Sequence, residues 1–112
     1  KVSALSDTAF LSNKNIRSVI IPNGVLRIGA LCFDSCTNLQ EITIPDKVTT
    51  IGKGAFYGSG LTNVTIGSGI EEIEATAFGA TKDLTTITIK KSTDSIENAP
   101  WGATNAEIIW EE

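Results

Sequence analysis

Apolar residues recur along the chain with a period of 22 or 23 residues, and each position in the period keeps one chemical type. The clearest position is aromatic and contains Phe10, Phe33, Phe56, Phe78 and Trp101. A fixed period of this size is typical of solenoids, in which similar structural units stack on one another. The pattern therefore predicts a single repeat architecture over nearly the whole chain.

Each unit begins with a segment in which apolar and polar residues alternate. Residues 39–45 read Leu-Gln-Glu-Ile-Thr-Ile-Pro, which predicts a short, half-buried strand that ends at the proline. After a turn, residues 48–51 predict a second extended segment with its two apolar ends inward. The spacing then changes over residues 52–58, which favours one or two turns of α-helix or 3₁₀ helix.

One unit of this kind cannot cover its own apolar face, so neighbouring units must stack. The predicted fold class is α/β but rich in β-structure: strand, turn, short strand and short helical turn in each unit. With 112 residues and 41% hydrophobic content, the chain can enclose one core and hardly two. The single predicted domain, 1–112, consists of a partial repeat at 1–15, repeats at 16–38, 39–60 and 61–83, and a degenerate repeat with a C-terminal cap at 84–112.

The pattern LxxIxIPxxVxxIGxxAFxxC is visible, with small changes, over residues 16–36, 39–59 and 61–81. It resembles the BspA-like leucine-rich repeat family. The resemblance implies a right-handed leucine-rich-repeat solenoid of the kind found on bacterial cell-surface and secreted proteins, some of which are adhesins. Later units depart from the pattern, because Gly67 stands where proline is expected and Glu74 where glycine is expected, and this predicts altered turns.

The two ends of the chain differ. Residues 1–15 begin partway through a unit, so we expect the N-terminus to be a boundary within a longer protein. At the other end Trp101, Trp110, Glu111 and Glu112 add bulk and charge, as expected of a terminal cap. Residues 106–110 predict a final strand with Ile108 and Trp110 inward. The sequence contains neither a signal peptide nor an apolar run of about 18 residues that could cross a bilayer.

Cys32 and Cys36 stand four residues apart in the predicted helical turn. A disulfide across one helical turn would be strained, and a zinc site would need two further ligands from a chain that has no histidine. We therefore predict two buried free thiols that serve packing. A redox or metal role is the less favoured alternative.

Charge is distributed unevenly. Residues 1–70 contain six Lys or Arg and four Asp or Glu, a balance of +2, whereas residues 71–112 contain three and nine, a balance of −6. No basic stripe could neutralise phosphates, so we do not expect a nucleic-acid partner. The acidic end either keeps the terminus soluble, which we favour, or attracts a basic partner.

The sequence does not indicate an enzyme. Glu71, Glu72 and Glu74 form the densest carboxylate group, but a short extended segment should direct them into water rather than across a cleft. Neither a phosphate-binding loop nor a nucleophile beside a base is present. We therefore predict no catalytic residue, no cofactor and no metal. Tyr57 is expected to be exposed, either as an ordinary surface ring, which we favour, or as a stacking surface for a sugar or partner.

Residues that alternate with the inward positions should form rows on the outer face of the strands. One row contains Ile20, Thr43, Thr65, Thr88 and Ile109, and the next contains Ser18, Glu41, Asn63, Thr86 and Glu107. Such a flat ladder suits an extended protein partner. Threonine also favours exposed strand positions without any partner. The candidate partner-binding residues are Glu41, Thr43, Asn63, Thr65, Thr86 and Thr88.

The leading hypothesis is a non-catalytic protein-interaction module of a cell-surface or secreted protein that adheres to host or partner proteins through the strand face. The family resemblance supplies the expected extracellular or cell-surface location. The expected ligand is a protein or a glycan, without nucleic acid and without membrane insertion by this segment. The alternative is a structural spacer within a larger surface protein, with no ligand of its own.

Overall fold

The computed structural model describes residues 4–92, 96–97 and 99–111. The chain coils repeatedly, and each full coil contributes one strand to each of two parallel sheets. The strands in the described residues are β1 (Ala4–Leu5), β2 (Ser18–Ile20), β3 (Arg27–Ile28), β4 (Glu41–Ile44), β5 (Thr50–Ile51), β6 (Asn63–Ile66), β7 (Glu72–Ile73), β8 (Thr86–Ile89) and β9 (Glu107–Trp110).

Strand order follows directly from the coiling. The larger sheet has the order β2-β4-β6-β8-β9, and the smaller one has the order β1-β3-β5-β7. Successive strands of the chain alternate between the sheets until β8, so each strand pairs with its equivalent one coil away. The result is a parallel β-solenoid, as the repeat predicted.

The register of the larger sheet confirms the repeat. Ile42 pairs with Val64, which in turn pairs with Ile87. All three side chains are buried. Along β4, buried residues alternate with exposed ones that point outward. A strand places successive side chains on opposite faces, so the predicted alternation becomes one buried face and one outer face.

The four phenylalanines form a column inside the solenoid. Successive rings, from Phe10 through Phe33 and Phe56 to Phe78, have centroids 5.2, 5.3 and 5.3 Å apart and planes inclined by 11°, 3° and 3°. Near-parallel rings at these separations are within the favourable range for aromatic pairs. The last three rings are buried, whereas Phe10 in the first coil is only partly covered.

The predicted helical turn is wrong. The predicted segment forms successive turns instead, at residues 53–58 and at the equivalent residues 30–35 of the preceding coil. The described part of the chain contains no α-helix or 3₁₀ helix, and therefore none that could span a membrane. The N–H of Cys32 donates to the Gly29 carbonyl at 3.3 Å, and the N–H of Asp34 donates to the Leu31 carbonyl at 3.2 Å. Only alternate N–H groups make such bonds within the coil, so the observed fold is a β-solenoid rather than an α/β one.

The remaining N–H groups of this segment bind the next coil. Phe33 donates to the Ala55 carbonyl and Ser35 to the Tyr57 carbonyl, both at 2.7 Å. An α-helix needs its N–H groups for bonds to carbonyls of its own chain segment, so this ladder between coils replaces helix formation. Leu31 and Ser35 have φ angles of 56° and 61°, in the left-handed region. This backbone conformation changes the direction of the chain, so that successive N–H groups point alternately within the coil and toward the next coil.

The second predicted strand is shorter than expected. Of residues 48–51, only Thr50–Ile51 is a strand. The N–H of Val48 donates to the Pro45 carbonyl at 3.1 Å, so it closes the preceding turn instead of pairing with a neighbouring strand. Ile51 is fully buried, as the pattern predicted.

The C-terminal strand is confirmed, but Trp101 differs from the sequence alignment. On β9, Ile108 and Trp110 are partly buried against the core. Phe78 donates its N–H to the Trp101 carbonyl at 2.9 Å, whereas Phe56 donates to that of Ala77. The backbone of Trp101 therefore occupies the position of the small residues, one place before the phenylalanine position. Glu112, assigned to the cap, lies outside the described residues.

Candidate partner-binding surface

The six candidate residues lie together on the outer face of the larger sheet. We call the surface formed by Glu41, Thr43, Asn63, Thr65, Thr86 and Thr88 the outer sheet face. Strand register aligns these side chains in two rows of three, Glu41-Asn63-Thr86 and Thr43-Thr65-Thr88. Neighbouring strands are about 4.8 Å apart, so the six residues lie side by side in the predicted rows.

Both rows continue onto the outermost strands of the sheet. Ser18 and Ile20 extend them on β2, and Glu107 and Ile109 extend them on β9. Ile20 is 94% exposed, which is unusual for a side chain of this size. The threonine row thus has an apolar residue at each end.

A shallow cleft lies at the β2 end of the outer sheet face. It has a volume of about 400 Å³, and its lining residues include Ser18, Ile20, Asn23, Glu41, Thr43 and Pro45. This cleft gives the otherwise flat face a depression with an apolar side chain, hydroxyls, an amide and one carboxylate. Such groups can bind a partner by hydrogen bonds and apolar contact.

The acidic cluster does not form a comparable site. Glu71, Glu72 and Glu74 are exposed, as predicted, and Ile73 between them is buried. The N–H groups of Glu71 and Glu72 both donate to the Thr49 carbonyl, at 2.8 and 3.1 Å. Within the described ranges, no group of three or more His, Cys, Asp or Glu side chains is arranged to hold a metal ion.

The two cysteines are buried and free, as predicted. Burial raises the pKa of the Cys32 thiol to about 11 and also raises the pKa of Cys36. The Cys36 thiol donates to the Phe10 carbonyl, with Sγ 3.1 Å from the oxygen. A protonated thiol is a poor nucleophile, and both cysteine side chains are fully buried in the hydrophobic core.

A second cleft was not predicted from the sequence beyond the exposure of Tyr57. This turn-side cleft has a volume of about 410 Å³ and is lined by Ala30, Leu31, Asp34, Lys53, Gly54, Tyr57 and Thr76. The signal in the sequence is the periodic placement of glycine beside a large residue. Gly54 is one repeat after Leu31, and Gly79 is one repeat after Tyr57.

Comparison with known proteins agrees with the repeat. The profile described as BspA type Leucine rich repeat region matches residues 3–109 in six copies. The chain belongs to the BspA-type leucine-rich repeat family. No protein of curated function matches the chain.

Two solved structures show how this BspA-type repeat chain relates to larger proteins. A leucine-rich cell surface protein from Faecalibacterium prausnitzii A2-165 is 28% identical, with a TM-score of 0.54, over 87% of this chain and 32% of that protein. The pneumococcal vaccine antigen PcpA is 18% identical, with a TM-score of 0.57, over 96% of this chain and 39% of that protein; this second likeness concerns the fold alone. The chain therefore spans about a third of the length of these proteins.

Proposed function

We propose that this BspA-type repeat chain is a non-catalytic protein-interaction module of a cell-surface or secreted protein, and that it binds a protein partner through the outer sheet face. The observation that supports this most directly is the alignment of Thr43, Thr65 and Thr88 in one outward row. The similar F. prausnitzii protein is described as a cell surface protein, which supports an extracellular or cell-surface location.

The chemistry of the outer sheet face suits an extended protein segment. Its threonine hydroxyls and the Asn63 amide both donate and accept hydrogen bonds, and Glu41 is the single charged residue among the six. Rigid neighbouring strands hold these groups at regular spacing, so little side-chain order has to be gained on binding. The exposed Ile20 and the cleft beside it provide an apolar contact at one end.

The proposal includes the absence of catalysis. Burial moves the pKa of both cysteine thiols further above neutral pH, which disfavours the nucleophilic thiolate, and the three clustered glutamates are exposed. Hydroxyls of the outer sheet face have no histidine to activate them, since the chain contains none. Binding without chemistry is the role that these groups support.

Three added charges test the outer sheet face. Thr43, Thr65 and Thr88 are replaced together by lysine, and binding to a panel of matrix proteins and intact cells is compared with that of the unmodified chain. The control variant carries lysine at Thr37, Ser68 and Thr104, which are exposed outside the strands. Equal net charge in the two variants separates a local effect from a general electrostatic one.

We expect the first variant to lose binding and the control to retain it. Full binding by both variants would reject the outer sheet face as the site. If the unmodified chain binds no member of the panel, the interaction proposal fails and the alternative function, a structural spacer without its own ligand, is favoured.

A further inference from the structure

The turn-side cleft is separate from the outer sheet face. Its lining residues come from the turn segments of three successive coils, and none of them belongs to a strand. Its volume of about 410 Å³ is within the range of roughly 300–1,000 Å³ that is usual for small-ligand sites. The cleft is open to solvent along one side, so it would take a flat ligand rather than enclose one.

Two glycines determine the shape of the apolar part of this cleft. A Cβ atom on Gly54 would lie 2.7 Å from Cδ2 of Leu31, and one on Gly79 would lie 2.8 and 2.9 Å from the ring carbons Cδ2 and Cε2 of Tyr57. Both large side chains therefore lie directly over the backbone of the following coil. Leu31 remains 37% exposed and Tyr57 44% exposed, so an aromatic and an aliphatic surface face the solvent side by side.

Polar groups flank this apolar surface. Asp34, Lys53 and Thr76 line the same cleft. The Ser35 hydroxyl donates to Oδ1 of Asp34 at 2.6 Å, which orients the carboxylate while its other oxygen can accept from a ligand. The Lys53 ammonium and the Thr76 hydroxyl add donors. A sugar presents a face of C–H groups and a rim of hydroxyls. An aromatic ring is complementary to the C–H face, and donors and acceptors beside the ring are complementary to the hydroxyls.

We propose that the turn-side cleft binds a neutral carbohydrate, with a pyranose ring stacked on Tyr57 and its hydroxyls hydrogen-bonded to Asp34 and Lys53. A phosphorylated ligand would meet the Asp34 carboxylate in the lining of the cleft, and repulsion between like charges disfavours it. A peptide anchor side chain would need an enclosed, well-packed pocket, whereas this cleft is open. The site goes beyond the proposed protein-binding function and does not depend on it.

Direct titration of the chain tests the site. Maltotetraose, cellotetraose, chitotetraose and lactose are each added to ¹⁵N-labelled protein, up to about 10 mM, while amide shifts are recorded by NMR. For a contact of one or two sugar rings we expect a dissociation constant on the order of 1 mM. At least one saccharide should shift the amides of Leu31, Gly54 and Tyr57 and leave those of β4 and β6 unchanged.

Variants distinguish ring stacking from nonspecific effects. Tyr57→Phe keeps the ring and should change the affinity less than about threefold, whereas Tyr57→Ala should weaken it about tenfold or more. Gly79→Ala keeps the tyrosine but displaces its ring, so it should also weaken binding. The urea midpoint of each variant shows whether it is folded. The variant with lysine at Thr43, Thr65 and Thr88 should bind saccharide normally.

Three results would overturn the carbohydrate proposal. The first is that no saccharide shifts the cleft amides at about 10 mM. The second is that a folded Tyr57→Ala variant binds as tightly as the unmodified chain. The third is that cleft variants abolish binding to a protein partner while saccharides remain without effect, because the cleft would then belong to the protein-binding site. Loss of protein binding in the outer-sheet-face variant alone leaves this proposal standing.

Discussion

Replacing Phe56 with alanine removes a ring from the middle of the phenylalanine column. Phe56 is fully buried and is stacked on both sides, with Phe33 and Phe78 each 5.3 Å away. The chain provides its own comparison, because Phe10 in the first coil is partly buried and has a single stacked neighbour, Phe33, at 5.2 Å. The two substitutions delete the same atoms from different environments.

The expected loss of stability follows from these environments. Truncating a buried phenylalanine to alanine usually costs about 3–5 kcal/mol, and each aromatic contact accounts for about 0.5–1.5 kcal/mol beyond area burial. With full burial and two contacts, Phe56→Ala should cost about 4–5 kcal/mol. Phe10→Ala, with partial burial and one contact, should cost about 1–2 kcal/mol. At roughly 4 °C per kcal/mol, Phe56→Ala should lower the Tm by about 15–20 °C.

Urea unfolding measured by far-UV circular dichroism gives both free energies by linear extrapolation. Fluorescence of the two tryptophans, the buried Trp101 and the partly buried Trp110, provides a second probe of the same transition. Lys53→Ala is a surface control that should change the free energy of unfolding by less than about 0.5 kcal/mol. If Phe56→Ala costs less than about 2 kcal/mol, or no more than Phe10→Ala, stacking and burial in the column do not stabilise the fold to the expected extent.

Three further substitutions test other contacts. Gly52→Ala places a Cβ 2.7 Å from a backbone nitrogen of the preceding coil and should lower the free energy of unfolding by about 3 kcal/mol. Gly58→Ala, which is strained only in its φ of 69°, should lower it by about 1 kcal/mol, and equal urea midpoints for the two variants would contradict this. Burial raises the pKa of Cys32 from 9.0 to about 11, so between these pH values the folded chain holds a proton that the unfolded chain releases. The free energy of unfolding should therefore fall as the pH rises from 9.0 to about 11, and it should fall less in Cys32→Ala. Parallel pH profiles of the two proteins would refute that assignment. Trp101→Phe removes the hydrogen bond from Nε1 to the Glu97 carbonyl and should lower the free energy of unfolding by about 1–2 kcal/mol; an unchanged midpoint by circular dichroism would exclude a net contribution from this bond.

The strand rows could be predicted because their cause is local. In a strand, alternate side chains point to opposite faces whatever the rest of the fold does. Thr43 therefore had to point away from the side that buries Ile42 and Ile44, and the constant repeat placed Thr65 and Thr88 beside it. The fold family could be predicted because the repeat places the same residue types at the same positions of each unit. Whether this face binds a partner remains a prediction.

The turns could not be predicted from one unit at a time. The spacing of Ala55 and Phe56 is compatible with a helix, and the sequence does not reveal that the Phe56 N–H donates to Ala77 of the next coil at 2.8 Å. The sequence pattern places Trp101 at the phenylalanine position because it lies 23 residues after Phe78, whereas its backbone is equivalent to that of Ala77, 24 residues earlier. The backbone register, which depends on contacts between coils, shows the difference.

The turn-side cleft was missed because its shape depends on residues one repeat away. A single exposed tyrosine is ordinary when it is considered alone. The ring of Tyr57 packs closely on the backbone of the next coil because the equivalent residue there is Gly79. Leu31 packs closely in the same way because its equivalent in the next coil is Gly54. Comparing each large exposed residue with its neighbour in the next repeat would have identified the position.

Alternate donation by the turn N–H groups determines where a repeat can change its length. If a residue were added to or removed from the turn, the N–H groups that donate within the coil would point to the next coil, and those that donate to the next coil would point inward. Between the second and third coils the length difference lies outside this segment: Cys36 and Ser59 occupy equivalent turn positions, but Leu39 follows the first by three residues and Leu61 follows the second by two. In the regular coils that precede the C-terminal cap, insertions and deletions should therefore be accommodated between the turn and the following strand, at positions such as Gly60, while the turn itself keeps a fixed number of residues.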